Sequence, residues 1–459
     1  MTKTRIPALL AAALCTASLQ AQAAPLAKNI IFFLGDGMGP TTITAARIYK
    51  YGEEGLLNFE RFERVARIKT YSADAQTTDS APSMGAYMTG IKINNDVISM
   101  KDAKPTGPAI DANGNASVDR CGAANGTPAP TILELAKARG KAVGAITTTE
   151  LTHATPASTF SHVCDRDMGY SIAQQIVPGG AGYNASLGDG VDVLMGGGRN
   201  HFTPFDKARN PKGRGDGRDL LAEMQARGYF VAATKADMMS ARPGRKLVGI
   251  YSAESHLDYS LVRRPEQPTL SEMTAKSIEL LSKNPNGFFL MVEGGRIDHA
   301  LHDTNAKNAL TETVAFDDAI ATAIERMRAL DPGLENTLIV ITADHDHTLT
   351  FNGYPKRGNP VLDIVRGYAD GQPSKDADGK TFTTLVFGNG PNRQGVRQDV
   401  DGAAAQAADY HQETGVRLNG ETHGGGDVKL YAVGAGSAPF KGTMENTHVF
   451  HLMKAAFGF

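Results

Sequence analysis

The stretch Gly287–Asp303, GFFLMVEGGRIDHALHD, decides how the rest of the chain is interpreted. Its first part, Phe288–Val292, is a short run of aromatic and branched apolar residues, which predicts a fully buried β-strand. Polar residues follow at once: Glu293, Asp298, His299 and His302. Asp298 and His302 are four residues apart and would share one face of a helix, which indicates half of a zinc site at the end of a buried strand. The alternative is an ordinary helix start, with acidic residues near the positive end of the helix dipole.

Strand and helix signals alternate along most of the chain. Besides Phe288–Val292, apolar strands are predicted at Asn29–Leu34, Ala142–Thr147, Val191–Met195, Thr337–Thr342 and Val428–Val433. Helices are predicted at Thr269–Ser282, Thr304–Leu330 and Thr447–Ala456, among others. This alternation is typical of an α/β fold, and we expect three layers: a large, mainly parallel, doubly wound sheet with helices on both faces.

Two segments interrupt the alternation. Residues 101–127 are rich in Gly, Ala, Asn and Asp and predict a long surface excursion. Residues 352–420 mix Gly, Pro and charged residues with one strand-like piece, Thr383–Phe387, and predict an insertion. The sequence shows no internal repeat and no sharp boundary, so residues 24–459 are interpreted as a single domain.

The N-terminal segment predicts export. Lys3 and Arg5 precede an apolar stretch around Pro7–Leu19, and Ala21-Gln22-Ala23 follows, which is the pattern of a cleaved signal peptide spanning residues 1–23. Removing this segment takes away two basic residues and no acidic ones, so the formal net charge changes from −2 to −4. A mildly acidic exported protein lacks the excess of basic residues that is typical of nucleic-acid binding. No stretch is long and apolar enough for a membrane span. The place of action is therefore expected to be the periplasm or the medium.

Two cysteines, Cys121 and Cys164, remain after the signal segment. An even number in an oxidising compartment favours a disulfide between them over two free thiols. They are too far apart for a Cys-x-x-Cys metal or redox motif.

Metal-ligating residue types follow several predicted strands. Asp36 comes after the first strand, Asp344 and His345 after the Thr337 strand, and His423 shortly before the Val428 strand. Together with Glu293, Asp298 and His302 they number three histidines and four acids. Because the carboxyl ends of parallel strands share one edge of the sheet, these side chains are expected to converge there. The set exceeds what one zinc needs and fits two close metals, or two zincs and a magnesium.

A candidate nucleophile lies in Thr77-Thr78-Asp79-Ser80-Ala81-Pro82-Ser83, just before a small-residue helix pattern. Ser80 at a helix N-terminus would have the helix dipole to attract an anion, and a metal could activate its hydroxyl. The same stretch is equally typical of ordinary helix N-caps.

These segments together resemble the alkaline phosphatases. The matching pieces are Gly35–Gly39, Thr78–Ala81, His153–Pro156, Val292–His302, Thr342–His345 and Glu421–His423. They occur in the family's order and cover nearly the whole mature chain. His153 and the Arg296–His299 piece are similar to the animal-type and some marine bacterial enzymes.

The resemblance implies a role for each matching residue. Ser80 is the nucleophile that becomes phosphorylated, and Arg166 binds the substrate phosphate. The implied cofactors are two Zn²⁺ and one Mg²⁺ per subunit. Their implied ligands are Asp298, His302 and His423 for the first zinc, Asp36, Asp344, His345 and Ser80 for the second, and Asp36, Thr155 and Glu293 for magnesium. His153 and His299 are expected beside the ligands without binding metal, and His347 is likewise interpreted as a neighbour.

The resemblance further implies an exported phosphomonoesterase that hydrolyses small phosphate monoesters. It suggests a homodimer, with residues 352–420 loosely similar to the family's crown region at the dimer interface. Animal-type enzymes often carry an additional calcium site, but Ser252 and Gln267 stand here in place of its acids, so the resemblance does not extend to that site. A sulfatase or phosphodiesterase of the same superfamily is the enzymatic alternative, although Met84 stands where a sulfatase motif requires arginine. A zinc-binding protein without activity is the third interpretation, and it leaves Ser80 and Arg166 without a role.

Overall fold

The structure is a computed structural model and describes residues 26–459. The predicted signal segment 1–23 lies outside the described residues. In chain order the strands of the described part are β1 Asn29–Gly35, β2 Arg64–Lys69, β3 Met100–Lys101, β4 Ala109–Ile110, β5 Ala116–Val118, β6 Thr127–Pro128, β7 Ala142–Glu150, β8 Val193–Gly197, β9 Phe230–Ala232, β10 Leu247–Ile250, β11 Phe288–Gly294, β12 Thr337–Thr342, β13 Asp346–His347, β14 Leu349–Phe351, β15 Leu385–Gly390, β16 Thr414–Arg417, β17 His423–Gly424, β18 Val428–Gly434 and β19 Gly442–Glu445.

The helices of the described part carry the labels α1 to α12. They are α1 Pro40–Tyr51, α2 Ser80–Thr89, α3 Ile132–Ala138, α4 Ala154–Phe160, α5 Gly169–Gln174, α6 Leu220–Ala226, α7 Lys235–Ser240, α8 Leu270–Leu281, α9 Arg296–His302, α10 Ala306–Leu330, α11 Gly402–Ala405 and α12 Asn446–Phe457. No helix within residues 26–459 combines the length and the apolarity that crossing a membrane requires.

Ten of the strands form one central sheet, in the order β19-β2-β18-β12-β1-β11-β7-β8-β10-β9. Strand β1 pairs in parallel with β11 on one side and with β12 on the other. In this sheet the pairing is parallel except at β18, which runs antiparallel to both of its neighbours. The prediction of an α/β fold with a large, mainly parallel sheet is confirmed.

Helices cover both faces of this sheet. Successive side chains of a strand point to opposite faces, and the neighbours Phe32 and Phe33 of β1 illustrate it. The Phe32 ring contacts Tyr87 of α2, with ring centroids 5.5 Å apart, whereas the Phe33 ring meets Phe316 of α10 at 5.8 Å. Helices α2 and α10 therefore lie on opposite sides, and the central strands between them are buried on both faces, which explains their continuous apolar runs.

The predicted element bounds shift at several places. Strand β7 continues three residues beyond the predicted Thr147, to Glu150. The long helix predicted from Thr304 begins at Ala306, because Thr304 adopts a left-handed backbone, with φ of 55°, and separates α9 from α10. Strands β2, β9, β10 and β19 were not among the predictions; they are short or carry alternating charged residues, so their apolar signal is weak.

The two irregular segments have little regular structure of their own. The excursion over residues 101–127 holds the short ladder β4–β5, and the segment around residues 352–420 contributes to a small sheet of order β14-β15-β16. A disulfide joins Cys121 to Cys164, with 5.6 Å between the Cα atoms, as the even cysteine count favoured. It ties the excursion to the chain two residues before Arg166.

Candidate active site

Three buried acids lie close to one another at the carboxyl ends of the central strands. The register places Leu34 of β1 beside Glu293 of β11 and beside Thr342 of β12. Asp36 follows Leu34 by two residues, and Asp344 follows Thr342 by two residues. The carboxylates of Asp36, Glu293 and Asp344 are all inaccessible to solvent. The strand ends thus converge as the parallel topology requires.

The first cluster of candidate ligands consists of Asp298, His302, His347 and His423. Asp298 and His302 are one turn apart on α9, as their spacing predicted, with 3.3 Å between Asp298 Oδ1 and His302 Nε2. His423 reaches the same carboxylate oxygen at 3.5 Å. The two-residue ladder β13–β17 pairs His347 with His423 and so brings the segment of His423 to α9.

The hydrogen bonds of this cluster leave two histidine nitrogens with lone pairs that can bind a cation. His302 Nδ1 lies 2.6 Å from the carbonyl oxygen of Glu421, and His423 Nδ1 lies 2.8 Å from that of Thr78. A carbonyl only accepts, so both Nδ1 atoms donate and both Nε2 atoms carry lone pairs. These Nε2 atoms face each other across 3.0 Å. Two lone pairs at that distance repel, whereas a tetrahedral zinc with bonds of about 2.0–2.1 Å brings its ligand nitrogens to about 3.3 Å. The donor set therefore fits zinc.

His347 differs from its neighbours in this cluster. Its Nε2 lies 2.8 Å from Asp298 Oδ1, and its Nδ1 lies 2.7 Å from Glu421 Oε2. Both ring nitrogens are thus engaged by carboxylates, whereas His302 and His423 each keep one free nitrogen. His347 orients Asp298.

The second cluster consists of Asp36, Asp344 and His345. His345 Nε2 lies 3.3 Å from Asp36 Oδ1 and 3.4 Å from Asp344 Oδ2. Its ring stacks on that of His423 with centroids 3.5 Å apart, so the first and second clusters are directly adjacent. Ions held in both clusters would be close neighbours.

The third cluster consists of Asp36, Glu293 and His153, and Asp36 is common to the second and third clusters. Three buried oxygens at this cluster have no hydrogen-bond partner among the described residues, namely Asp36 Oδ2, Thr155 Oγ1 and Glu293 Oε1, and the same holds for Asp344 Oδ2 of the second cluster. Buried oxygens without partners are costly, and hard oxygen donors are what magnesium prefers. The residues present fit a cation at this position.

Burial and mutual repulsion raise the pKa values of these carboxyl groups, so that their ionised forms are unfavourable without a cation. Burial, followed by the charge of Asp36, raises the pKa of Asp344 to about 7. Burial likewise raises the pKa of Glu293 to about 7, and it raises that of Asp36 well above its usual range, with Asp298 and Glu293 adding to the effect. Bound cations offset this cost.

Ser80 lies beside the second cluster. It is the first residue of α2, and the N-cap of that helix is Asp79, whose carboxylate accepts from Ala81 N at 3.0 Å. The capping interpretation of this stretch therefore belongs to Asp79. The Ser80 hydroxyl instead lies 3.2 Å from His345 Nε2 and 3.4 Å from Asp36 Oδ1, beside the second cluster.

Arg166 pairs with Asp79, the residue that directly precedes Ser80. Its Nη1 donates to Asp79 Oδ1, and its Nη2 lies 3.2 Å from His153 Nε2. Burial alone would raise the pKa of Asp79, but the charge of Arg166, the strongest of the opposing effects, holds it below its usual range. The backbone of Arg166 is fixed by a 2.7 Å bond from its N–H to the carbonyl of Asp96. A planar guanidinium in this position can offer two parallel donors to an incoming phosphate.

His153 and His299 lie beside the clusters, with ring centroids 5.3 Å apart. A further histidine, His256, packs 4.2 Å from His299 and 5.5 Å from His153. His299 Nδ1 accepts from Arg296 Nη1 at 2.9 Å, and His256 Nδ1 accepts from Glu150 N at 3.1 Å. His256 was missed from the sequence because it is a lone histidine in an irregular segment, away from any strand end. The residue before it, Ser255, adds no metal-ligating side-chain pattern to this segment.

Comparison with known proteins decides the family. The family model described as alkaline phosphatase matches residues 27–459. The chain belongs to the alkaline phosphatase family. It is similar to the tissue-nonspecific alkaline phosphatase of Gallus gallus, with 38% identity over 471 residues, covering 94% of this chain and 84% of that one. The alkaline phosphatase of Gadus morhua is 36% identical over 471 residues, covering 96% of this chain and 93% of that one.

Solved structures agree with the family. The crystal structure of Thermus thermophilus alkaline phosphatase superposes with a TM-score of 0.67 and 27% identity, over 98% of this chain and 96% of that one. The resemblance stated from the sequence is confirmed, and so is the enzyme class: this alkaline phosphatase is a metal-dependent phosphomonoesterase. The family match favours this activity over the sulfatase, phosphodiesterase and non-enzyme interpretations.

Proposed function

We propose that this alkaline phosphatase hydrolyses phosphate monoesters through a phosphoserine on Ser80, with two Zn²⁺ and one Mg²⁺ per subunit. The supporting observation is that the Ser80 hydroxyl contacts Asp36 and His345 of the second cluster, and that buried oxygens of the second and third clusters have no hydrogen-bond partner within residues 26–459. When bound, the metals supply charge that stabilises the attacking and leaving oxygens of an in-line displacement.

The ligand assignment follows the clusters. Asp298, His302 and His423 would hold the first zinc, with His347 orienting Asp298. Asp36, Asp344, His345 and the Ser80 oxygen would hold the second. Asp36, Glu293 and Thr155 would hold magnesium, with His153 beside it. This assignment uses every unpartnered carboxylate oxygen of the three clusters.

The protein's own groups divide the remaining work. The position of Ser80 at the N-terminus of α2 favours an incoming phosphate, because the helix dipole is positive there. Arg166 binds two phosphate oxygens and holds the phosphorus in line with Ser80 Oγ. Asp79 keeps the guanidinium in place by accepting from Nη1. The phosphoryl group passes from the ester oxygen to Ser80 Oγ, and water then releases it as inorganic phosphate.

Trapping the covalent intermediate tests this proposal. Protein mixed with p-nitrophenyl phosphate and quenched in acid should carry one phosphate, and peptide mapping should place it on Ser80. Ser80→Ala should carry none. Ser83→Ala is the matched control on the same helix, and it should still be labelled because the Ser83 hydroxyl donates to the Asp344 carbonyl at 2.7 Å. Phosphate found on another residue, or turnover retained by Ser80→Ala, would contradict the assignment.

We also propose export and a homodimer. The predicted signal peptide supports export, and mass spectrometry of the secreted protein should find an N-terminus near Ala24. The crown-like insertion supports the dimer: Tyr354 and Tyr368 within it are 81% and 77% exposed and so are accessible to a second subunit. Light scattering should give twice the chain mass, and Tyr354→Lys should shift it towards the monomer. A monomeric mass for the unaltered protein would refute the dimer.

A further inference from the structure

We propose that Glu421 is a positioning residue for the first zinc site, holding Asp298 through His347 and His302 through its own main chain. This inference rests on the proposed zinc site, and it adds a residue that is not itself one of the zinc ligands. Glu421 is interesting because one buried side chain and its peptide group reach two different ligands on α9.

The side-chain link begins with a fully buried carboxylate, since the Glu421 side chain has 0% exposure. Its Oε2 accepts from His347 Nδ1 at 2.7 Å, and its Oε1 accepts from Thr348 N at 2.8 Å and from Thr348 Oγ1 at 2.5 Å. Both oxygens are therefore engaged by the segment that carries His347. Glu421 is also not among the candidate ligands of the first cluster, so we interpret it as a partner of the ligands and not as a ligand itself.

From His347 the link continues to the ligand. His347 Nε2 lies 2.8 Å from Asp298 Oδ1, the same oxygen that faces His302 and His423. An imidazole held at only one nitrogen can swing about its ring torsion, which is broad for histidine. Bonds at both nitrogens fix the ring plane, and the fixed ring fixes the carboxylate rotamer of Asp298.

The main-chain link acts on the second ligand. The carbonyl oxygen of Glu421 accepts from His302 Nδ1 at 2.6 Å, and the Glu421 N–H donates to the His302 carbonyl at 3.3 Å. The first of these bonds sets the tautomer that leaves His302 Nε2 free for metal. Partners of this kind, which orient a ligand from outside the metal's own contacts, typically change metal affinity by about 10–100-fold when removed.

The two links have separable consequences. Replacing the side chain removes the His347–Asp298 restraint but leaves the bond from His302 to the main chain of residue 421. Glu421→Ala should therefore weaken the first zinc site without abolishing it, and it should leave the second site, built from Asp36, Asp344 and His345, unchanged. Glu421→Gln should lose less, because its amide oxygen can still accept from His347 while its NH₂ group cannot accept from Thr348.

The experiment measures zinc affinity and not turnover. Chelator-stripped protein is titrated with Zn²⁺ against a chromogenic chelator, and bound zinc is counted by elemental analysis. The matched control is Glu134→Gln, since Glu134 is also a buried carboxylate bonded to a histidine, His162, at 2.9 Å, but outside the clusters. Thermal unfolding of each metal-free variant reports whether the fold itself has changed.

The expected result is two tight zinc equivalents for the unaltered protein and for Glu134→Gln. One of the two should weaken about 10–100-fold in Glu421→Ala, and by less in Glu421→Gln, while each metal-free variant still unfolds in a cooperative thermal transition. Two equivalents of unaltered affinity in Glu421→Ala would overturn the inference alone. An unaltered protein that binds no zinc would overturn the proposed function, and the inference with it. If Glu421→Ala does not fold, the comparison of Glu421→Gln with Glu134→Gln decides.

Discussion

Replacing Arg166 by serine should change substrate preference as well as rate. A monoester has three non-bridging oxygens, of which one can face the zincs while two accept from the guanidinium. A diester has only two, because an alkyl or aryl group takes the place of the third. In the structure one arm of Arg166 is held by Asp79 and the other lies near His153 Nε2. The guanidinium is therefore already fixed before substrate arrives, and little of its binding free energy is spent on ordering it.

The magnitude follows from those contacts. A lost charge-assisted hydrogen bond costs about 1.5–3 kcal/mol, which corresponds to about 10–150-fold in rate. Arg166→Ser should lower kcat/KM for p-nitrophenyl phosphate by at least that factor. It also leaves the partly buried Asp79 carboxylate without its strongest counter-charge, next to an incoming dianion. The double variant Arg166→Ser with Asp79→Asn should therefore recover part of the loss.

The assay compares kcat/KM for p-nitrophenyl phosphate and bis-p-nitrophenyl phosphate in the same preparations. Arg166→Ser should depress the diester reaction much less, so the ratio of the two rates should shrink. Zinc content should stay unchanged, because Arg166 belongs to none of the three clusters. Equal losses on both substrates would refute the reasoning and would mean that Arg166 only supports the fold.

Three further predictions follow from the clusters, the disulfide and a buried histidine. Treatment with EDTA should abolish turnover, and zinc with magnesium should restore it; full activity after complete chelation would contradict the metal assignment. His423→Ala should lose more zinc than His347→Ala, because of these two histidines only His423 has a ring nitrogen free for metal. The Cys121–Cys164 disulfide closes a loop with a sequence separation of 43 residues, so replacing both cysteines by serine should reduce the free energy of unfolding by about 4 kcal/mol on the chain-entropy estimate, and an unchanged melting temperature would contradict this. Burial, followed by the charge of Arg214, lowers the pKa of His201 from 6.5 to about 4; the unfolded chain therefore takes up this proton first, and stability that is complete above pH 6.5 should fall by on the order of 3 kcal/mol as the pH drops to 4. His201→Gln in metal-free protein should show a flatter pH dependence across that window, and an identical profile would contradict the assignment.

The sequence was most informative where polar residues follow apolar strands. Asp36, Glu293 and Asp344 could be placed together because parallel strands end at one edge, and that rule needs no knowledge of the strand order. The spacing of Asp298 and His302 was likewise enough to place them on one helical turn. These are local signals combined with a single topological rule.

What the sequence could not supply depends on contacts between distant segments. Asp79 and Ser80 are both good N-caps, so local preference could not tell which of them caps α2 and which faces the metals. The lone histidine His256 has no pattern around it, and its place beside His299 follows from tertiary packing alone. The antiparallel direction of β18 was also not evident, because a short buried strand has the same pattern in either direction.

The position of β1 in the middle of the sheet has a consequence for the newly made chain. Its two partners, β11 and β12, begin at Phe288 and Thr337, more than 250 residues after β1 ends at Gly35. At synthesis rates of about 5–20 residues per second, about 10–50 s pass before the first partner exists. During that interval the apolar segment Ile30–Leu34 has both edges open, and it can pair with strands of other chains. A chain that stops before His423 also lacks one member of the first cluster, and we expect such an incomplete chain to have no phosphatase activity.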